Sequence, residues 1–138
     1  MKPWLSPRMS TALDRAALVA VFAWFALGGI AHFAFTQAEM RIVPPWLPWP
    51  RAIVLVSGAL ELLGAAGLLV RSTRHVAARG LFALTLAVTP ANVYMLQQPA
   101  LFPAVPFWAL VLRLPLQLVL LAAIWRVARP SQAPAQPL

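Results

Sequence analysis

Two full-strength charges lie in stretches of this chain that otherwise hold almost nothing water would solvate. Glu61 sits at the centre of the apolar run 52–70, and Arg113 lies within the run 106–127. Ionisable groups inside membrane segments are costly, so they usually face a protein interior, pair with one another and mark functional sites. A guanidinium does not discharge by losing its proton, and Glu61 is the only acidic residue deep in any apolar run. The chemistry this favours is a buried Glu61–Arg113 ion pair or a proton-binding site. Two plainer readings stand beside it: a protonated Glu61 bonded to a backbone carbonyl, and an Arg113 that reaches the interface along its aliphatic stem.

Three further polar side chains share the apolar runs. His32 follows Gly28 and Gly29 by one turn; Asn92 shares a helix face with Thr85 and Thr89, with Pro90 kinking that helix; Gln117 lies four residues after Arg113, with Pro115 between them. A histidine titrates near neutral pH and can handle protons or contact a ligand. The structural alternative for all three is interhelical hydrogen bonding. No nucleotide-binding loop, nucleophile triad or metal-ligand cluster is present, so catalysis by this chain alone is not expected and no residue is assigned a catalytic role. With no cysteine in the sequence, thiol redox chemistry and iron–sulfur ligation by the chain are excluded.

The elements that position these groups follow from composition. The chain of 138 residues is 62% hydrophobic and only 10% charged, with a mean hydropathy of +0.79, whereas soluble domains are about 25% charged. Spanning a bilayer takes roughly 20 apolar residues per helix, and four such runs occur, at about 16–35, 52–70, 76–96 and 106–127. The expected fold is all-α, a four-helix transmembrane bundle. Its first run exceeds the roughly 7–15-residue apolar core of a signal peptide and is read as a retained helix. Residues 1–15 then form a cytoplasmic or interfacial start, 16–127 the membrane domain, and 128–138 a Pro/Gln/Ala-rich disordered cytoplasmic tail.

The formal charge of +8 fits topology better than nucleic acid. Lys2, Arg8 and Arg15 precede the first run, Arg71, Arg74 and Arg79 lie in or beside the second connection, and Arg126 and Arg129 follow the fourth run. The positive-inside rule therefore places both termini in the cytoplasm. The first connection carries Pro44, Pro45, Trp46, Pro48 and Trp49. Its prolines forbid a continuous helix, and its indoles suit a membrane interface, so it is expected to form an interfacial cap. The third connection has the same Pro/aromatic character.

Depth sorts the polar groups. At 1.5 Å rise per residue, Glu61 lies about 14 Å inside the outer end of its run, Arg113 about 10 Å, and His32 and Asn92 roughly one turn. The other leaflet is almost wholly Leu, Val and Ala. One polar cavity, opening outward beneath the two Pro/aromatic connections, is the economical expectation. On helix two, Ser57, Gly58, Gly64 and Ala65 flank Glu61 at three- and four-residue spacing, so its face is crowded with small residues.

These residues also carry a family likeness. Gly29-Ile30-Ala31-His32-Phe33, Val43-Pro44-Pro45-Trp46-Leu47-Pro48, Ser57-Gly58 with Glu61-Leu62-Leu63-Gly64, Pro90-Ala91-Asn92-Val93-Tyr94-Met95 and Leu112-Arg113-Leu114-Pro115-Leu116-Gln117 occur in register over about 16–127. In order and spacing they resemble the DoxX-like family of small four-helix membrane proteins. That resemblance implies a multi-pass protein of the cytoplasmic (inner) membrane. It also implies a subunit role in a quinone-linked oxidoreductase system for some members.

Quinone is accordingly the expected ligand, though no cofactor is evident from the residues alone. His32, Asn92 and Arg113 would donate hydrogen bonds to it and Glu61 would accept a proton. The expected partners are the lipid bilayer, an oxidoreductase subunit and a second copy of the chain. Two alternatives remain open: a small proton-coupled carrier using Glu61, and a structural or assembly protein whose polar residues only fix packing.

Overall fold

A computed structural model describes residues 7–129. Helix α1 runs Pro7–Ala34, α2 Thr36–Met40, α3 Pro50–Leu69, α4 Arg74–Ala87, α5 Thr89–Gln97 and α6 Phe107–Ala128, with a 3₁₀ turn at Pro99–Leu101. No strand occurs among the described residues. Four stretches are long and apolar enough to cross a membrane: Thr11–Ala34, Pro50–Leu69, Arg74–Gln97 and Phe107–Ala128. They match the four expected runs to within a few residues.

Two boundaries differ from expectation. Helix is already present at Pro7, so part of the segment expected to precede the membrane domain is helical. The kink expected at Pro90 is present as a one-residue interruption at Val88 within the span Arg74–Gln97. Pro90 has no N–H to offer Leu86, and it lies in the first turn of α5. The fourth span, by contrast, runs unbroken through Pro115. Ala128 still belongs to α6, and the expected disordered tail otherwise falls at 130–138, outside the described residues.

The ends of the helices explain where they stop. Pro50 opens α3 with its φ already set for a helix, and the preceding Trp49 holds φ 53°, ψ 57°, a left-handed backbone that costs a non-glycine residue about 1–2 kcal/mol. At the other end of α3, Thr73 Oγ1 donates to the Gly67 carbonyl at 2.9 Å and Arg74 Nε to that of Leu68 at 2.8 Å. Two carbonyls that the helix leaves without donors are thereby satisfied. Arg129, in extended conformation before Pro130, ends α6.

The four spans form a ring in which α1 packs on α3, α3 on α4, α4 on α6 and α6 back on α1. Missing Cβ atoms set the close approaches. A Cβ on Gly58 would stand 2.6 Å from the Cβ of His32, and one on Gly64 would collide with the Leu81 side chain. Outward faces are apolar and bare: Leu63, Val76 and Leu118 are each about two-thirds exposed or more. Such faces are stable only against hydrocarbon, so the chain is a multi-pass membrane protein.

The bundle has two unlike halves. Near the helix ends that carry the arginines, Val21, Phe25, Leu68, Leu81, Ile124 and their neighbours pack into one dry core. Asp14 and Arg126 meet at 2.6 Å on the surface of that half, placing the start of α1 beside the end of α6. At the opposite end, Met95, Phe102 and Leu110 form a smaller core. Trp46, Tyr94 and Phe102 stack edge-on over it at 5.9 and 6.2 Å, and Pro44 is fully buried. Trp49 is 78% exposed. Trp46, although it touches Tyr94, is itself 64% exposed, so the Pro/Trp connection is a lid with Pro44 tucked in and both indoles turned out.

Candidate ligand-binding cavity

Between these two cores the ring opens. The first half of the third span packs on both α3 and α6, whereas α5 leans on α6 and the facing part of α3 is covered by α1 and α2. A cavity of about 650 Å³, within the range of small-molecule sites, occupies this space, with Val88 in its lining. His32, Glu61, Asn92, Arg113 and Gln117 all line it, so the structure brings together the five residues expected to contact a ligand or handle protons.

The polar groups form two separate walls. On the α1/α3 wall, His32 Nε2 stands 3.4 Å from Glu61 Oε1. This exceeds the usual 2.7–3.2 Å of a good hydrogen bond, so the contact is loose. Gly28 makes room for the carboxylate, since a Cβ there would lie 2.7 Å from Glu61 Oε2. Gly58 in turn seats the imidazole stem against α3. The Thr36 hydroxyl donates to the His32 carbonyl at 2.8 Å and fixes the corner where α1 ends. The other imidazole nitrogen, Nδ1, is buried with no hydrogen-bond partner among the described residues.

On the α5/α6 wall the bonds are shorter and continuous. Arg113 Nε donates to Asn92 Oδ1 at 3.1 Å, and Asn92 Nδ2 donates to Gln117 Oε1 at 2.6 Å. Gln117 Nε2 then donates to Thr89 Oγ1 at 2.6 Å and to the Thr85 carbonyl at 3.3 Å. That carbonyl sits where the helical ladder is interrupted, so Gln117 repairs the break from the neighbouring helix. Thr85 itself is 4% exposed, its hydroxyl donating to the Leu81 carbonyl.

The expected Glu61–Arg113 ion pair is not among the contacts of the described residues. Glu61 takes His32, and Arg113 takes Asn92. The reason is the ring: Glu61 is on α3 and Arg113 on α6, which are not adjacent, and the cavity lies between their walls. Arg113 uses only Nε within the protein, and its terminal amino groups have no acceptor among the described residues. Sequence reasoning also missed Glu39, Ile42 and Val43, which line the cavity from the first connection. Glu39 belongs to α2, whose five residues give no periodic signal, and Ile42 and Val43 follow it in the irregular connection. No group of three metal-ligating side chains occurs among the described residues.

A four-span membrane bundle with a polar-walled cavity beneath an aromatic lid is the class this architecture defines. The chain matches, over residues 10–128, the family described as a domain of unknown function, DUF8561, and belongs to it. No curated protein and no solved structure matches the chain.

Proposed function

We propose that this protein is a ligand-binding subunit of DoxX-like type, serving an oxidoreductase system in the cytoplasmic membrane, and that its cavity takes a quinone or a similar lipid-soluble carrier. The observation that carries the reading is the guanidinium of Arg113. Among the described residues it is anchored through Nε alone, and it borders a chamber whose lining is mostly apolar. A cation held in that way is completed by a ligand oxygen, because its unused donors otherwise cost free energy in a poorly solvated site. Across the chamber, His32 offers a second polar contact, and its unsatisfied Nδ1 is the kind of orphan that functional sites retain. Glu61 beside it would take or supply a proton.

In this reading both termini face the cytoplasm and the cavity lies in the outer leaflet. The electron-transferring partner and any second copy of the chain would pack on the exposed apolar faces. A specific observation favours one other reading: the loose His32–Glu61 couple, next to a span broken at mid-depth, would serve a proton-coupled carrier.

Thermal unfolding in detergent separates the two. A short-chain quinone should raise Tm by a few degrees, since saturation to about 100 times Kd adds roughly 2.7 kcal/mol to the folded state. Arg113→Ala and His32→Ala should remove the shift while remaining folded. No shift in the wild type would overturn the quinone reading, and proton uptake that vanishes in Glu61→Gln would then support the carrier.

A further inference from the structure

Where the cavity meets its surroundings says more about its ligand than its polar walls do. Toward the first connection it is covered by Glu39, Ile42 and Val43, with Pro44 buried nearby and Met95, Phe102 and Leu110 closing the same end. Toward the arginine-bearing end it stops at the dry core. Sideways, the cavity-lining residues become exposed. Leu27 on α1 is 67% exposed, Trp24 49%, and Leu116 on α6 41%, although all three line the same chamber as Arg113 and His32.

These three residues flank one seam. Helices α1 and α6 pack tightly where Val21 and Phe25 meet Ile124 and Val127. Farther from the arginines both helices border the cavity, α1 through Leu27, Gly28 and His32 and α6 through Arg113, Leu116 and Gln117. Leu27 and Leu116 line the chamber and are also exposed on the outer surface of these two helices. The chamber therefore opens between them toward the hydrocarbon.

Resting on the binding role given above, we infer that the ligand is an amphipath of the lipid phase, with a compact hydrogen-bond-accepting head and a long apolar tail. Its head reaches Arg113 and His32 through the α1/α6 seam while its tail lies in that seam between Leu27 and Leu116. The chemistry sorts along the path. Donors are deep, at Arg113 and His32, and only hydrocarbon side chains and one indole line the exit. A tail left in the seam meets the same apolar surroundings it had in the bilayer, so seating the head does not require dragging the tail into water. A small water-soluble molecule gains nothing from such an exit.

The test uses the full chain in nanodiscs and two probes: a tailless benzoquinone, and the same head on a decyl tail bearing a photoactivatable diazirine. Irradiation should give adducts on the α1 segment around Leu27 and the α6 segment around Leu116, and excess tailless quinone should suppress them. In Leu116→Trp, which fills the seam at a lipid-exposed position, the tailed probe should bind at least about tenfold more weakly, while the tailless head should keep its affinity within about twofold. If the tailless head binds the wild type but adducts lie on outward residues such as Leu63 and Val76 and resist competition, the seam inference falls alone. If Leu116→Trp weakens both probes equally, it also falls. If the tailless head does not bind the wild type at all, the binding role fails, and the seam inference with it.

Discussion

Each of the two charges placed in apolar spans has a neutral or titratable partner instead of the other charge. Glu61 meets an imidazole on the adjacent helix, and Arg113 meets an amide that is itself held by Gln117. An ion pair across the ring would fill the chamber with its own side chains. Two walls that satisfy their charges locally leave the space between them accessible. Double-mutant cycles should report this division. His32 with Glu61, and Asn92 with Gln117, should each couple by about 0.5–3 kcal/mol, the range for groups in contact. Glu61 with Arg113 should couple more weakly than either, as read from unfolding in detergent. If the Glu61–Arg113 cycle gave the largest coupling, the two-wall description would be wrong.

At the scale of the elements, small residues decide where helices touch, and the sequence marks them without saying what each one meets. Gly58 and Gly80 look alike in sequence, but Gly58 holds the His32 stem, whereas a Cβ on Gly80 would meet nothing within 4 Å. Gly58→Ala should therefore destabilise by about 1–3 kcal/mol through overpacking. Gly80→Ala should be neutral or stabilising by up to about 1 kcal/mol, the helix-propensity gain. Equal effects in thermal unfolding would refute the close α1/α3 approach at Gly58. The four spans, the gathering of the polar groups toward the Pro/aromatic end of the bundle and the irregular Pro/aromatic connections were legible, because hydropathy, charge and proline act locally along the chain. The partner of each charge was not, since it depends on which helices are neighbours in the ring. The kink at Pro90 was legible as well, but Pro90 and Pro115 pose the same local problem, and the sequence does not say that only the first interrupts its helix. The interruption matters for the site. Pro90→Ala would restore a donor for the Leu86 carbonyl, favour a continuous third span and draw α5 toward α3. The expected result is a protein at least as stable in detergent but with weaker quinone binding, and unchanged binding would separate the break from the cavity.

For the whole molecule, the asymmetry between a dry half and a cavity half becomes meaningful once the chain is oriented in its membrane. The start of α1, the α3/α4 connection and the end of α6 share one end of the bundle, as the Asp14–Arg126 contact requires. That end carries Arg15, Arg71, Arg74, Arg79, Arg126 and Arg129. The other end has only Arg41 and Arg51 as cations, with Glu39 beside them, and its connection at 98–106 carries no charge. Short connections with such a bias orient with the basic side in the cytoplasm. A reporter fused after Ala128 should consequently read cytoplasmic, and reporters inserted near Met40 or Pro99 should read external. The cavity would then sit in the leaflet away from the cytoplasm, and a partner drawing on its ligand would work from that side or from within the membrane. Moving the charge tests the cause as well as the outcome. Neutralising Arg71, Arg74 and Arg79 together should produce a mixed population of orientations, since these arginines hold the central connection on one side. A wild-type reporter pattern of the opposite sense would leave the ring and the cavity unchanged but place the site in the inner leaflet, facing a different pool of partners.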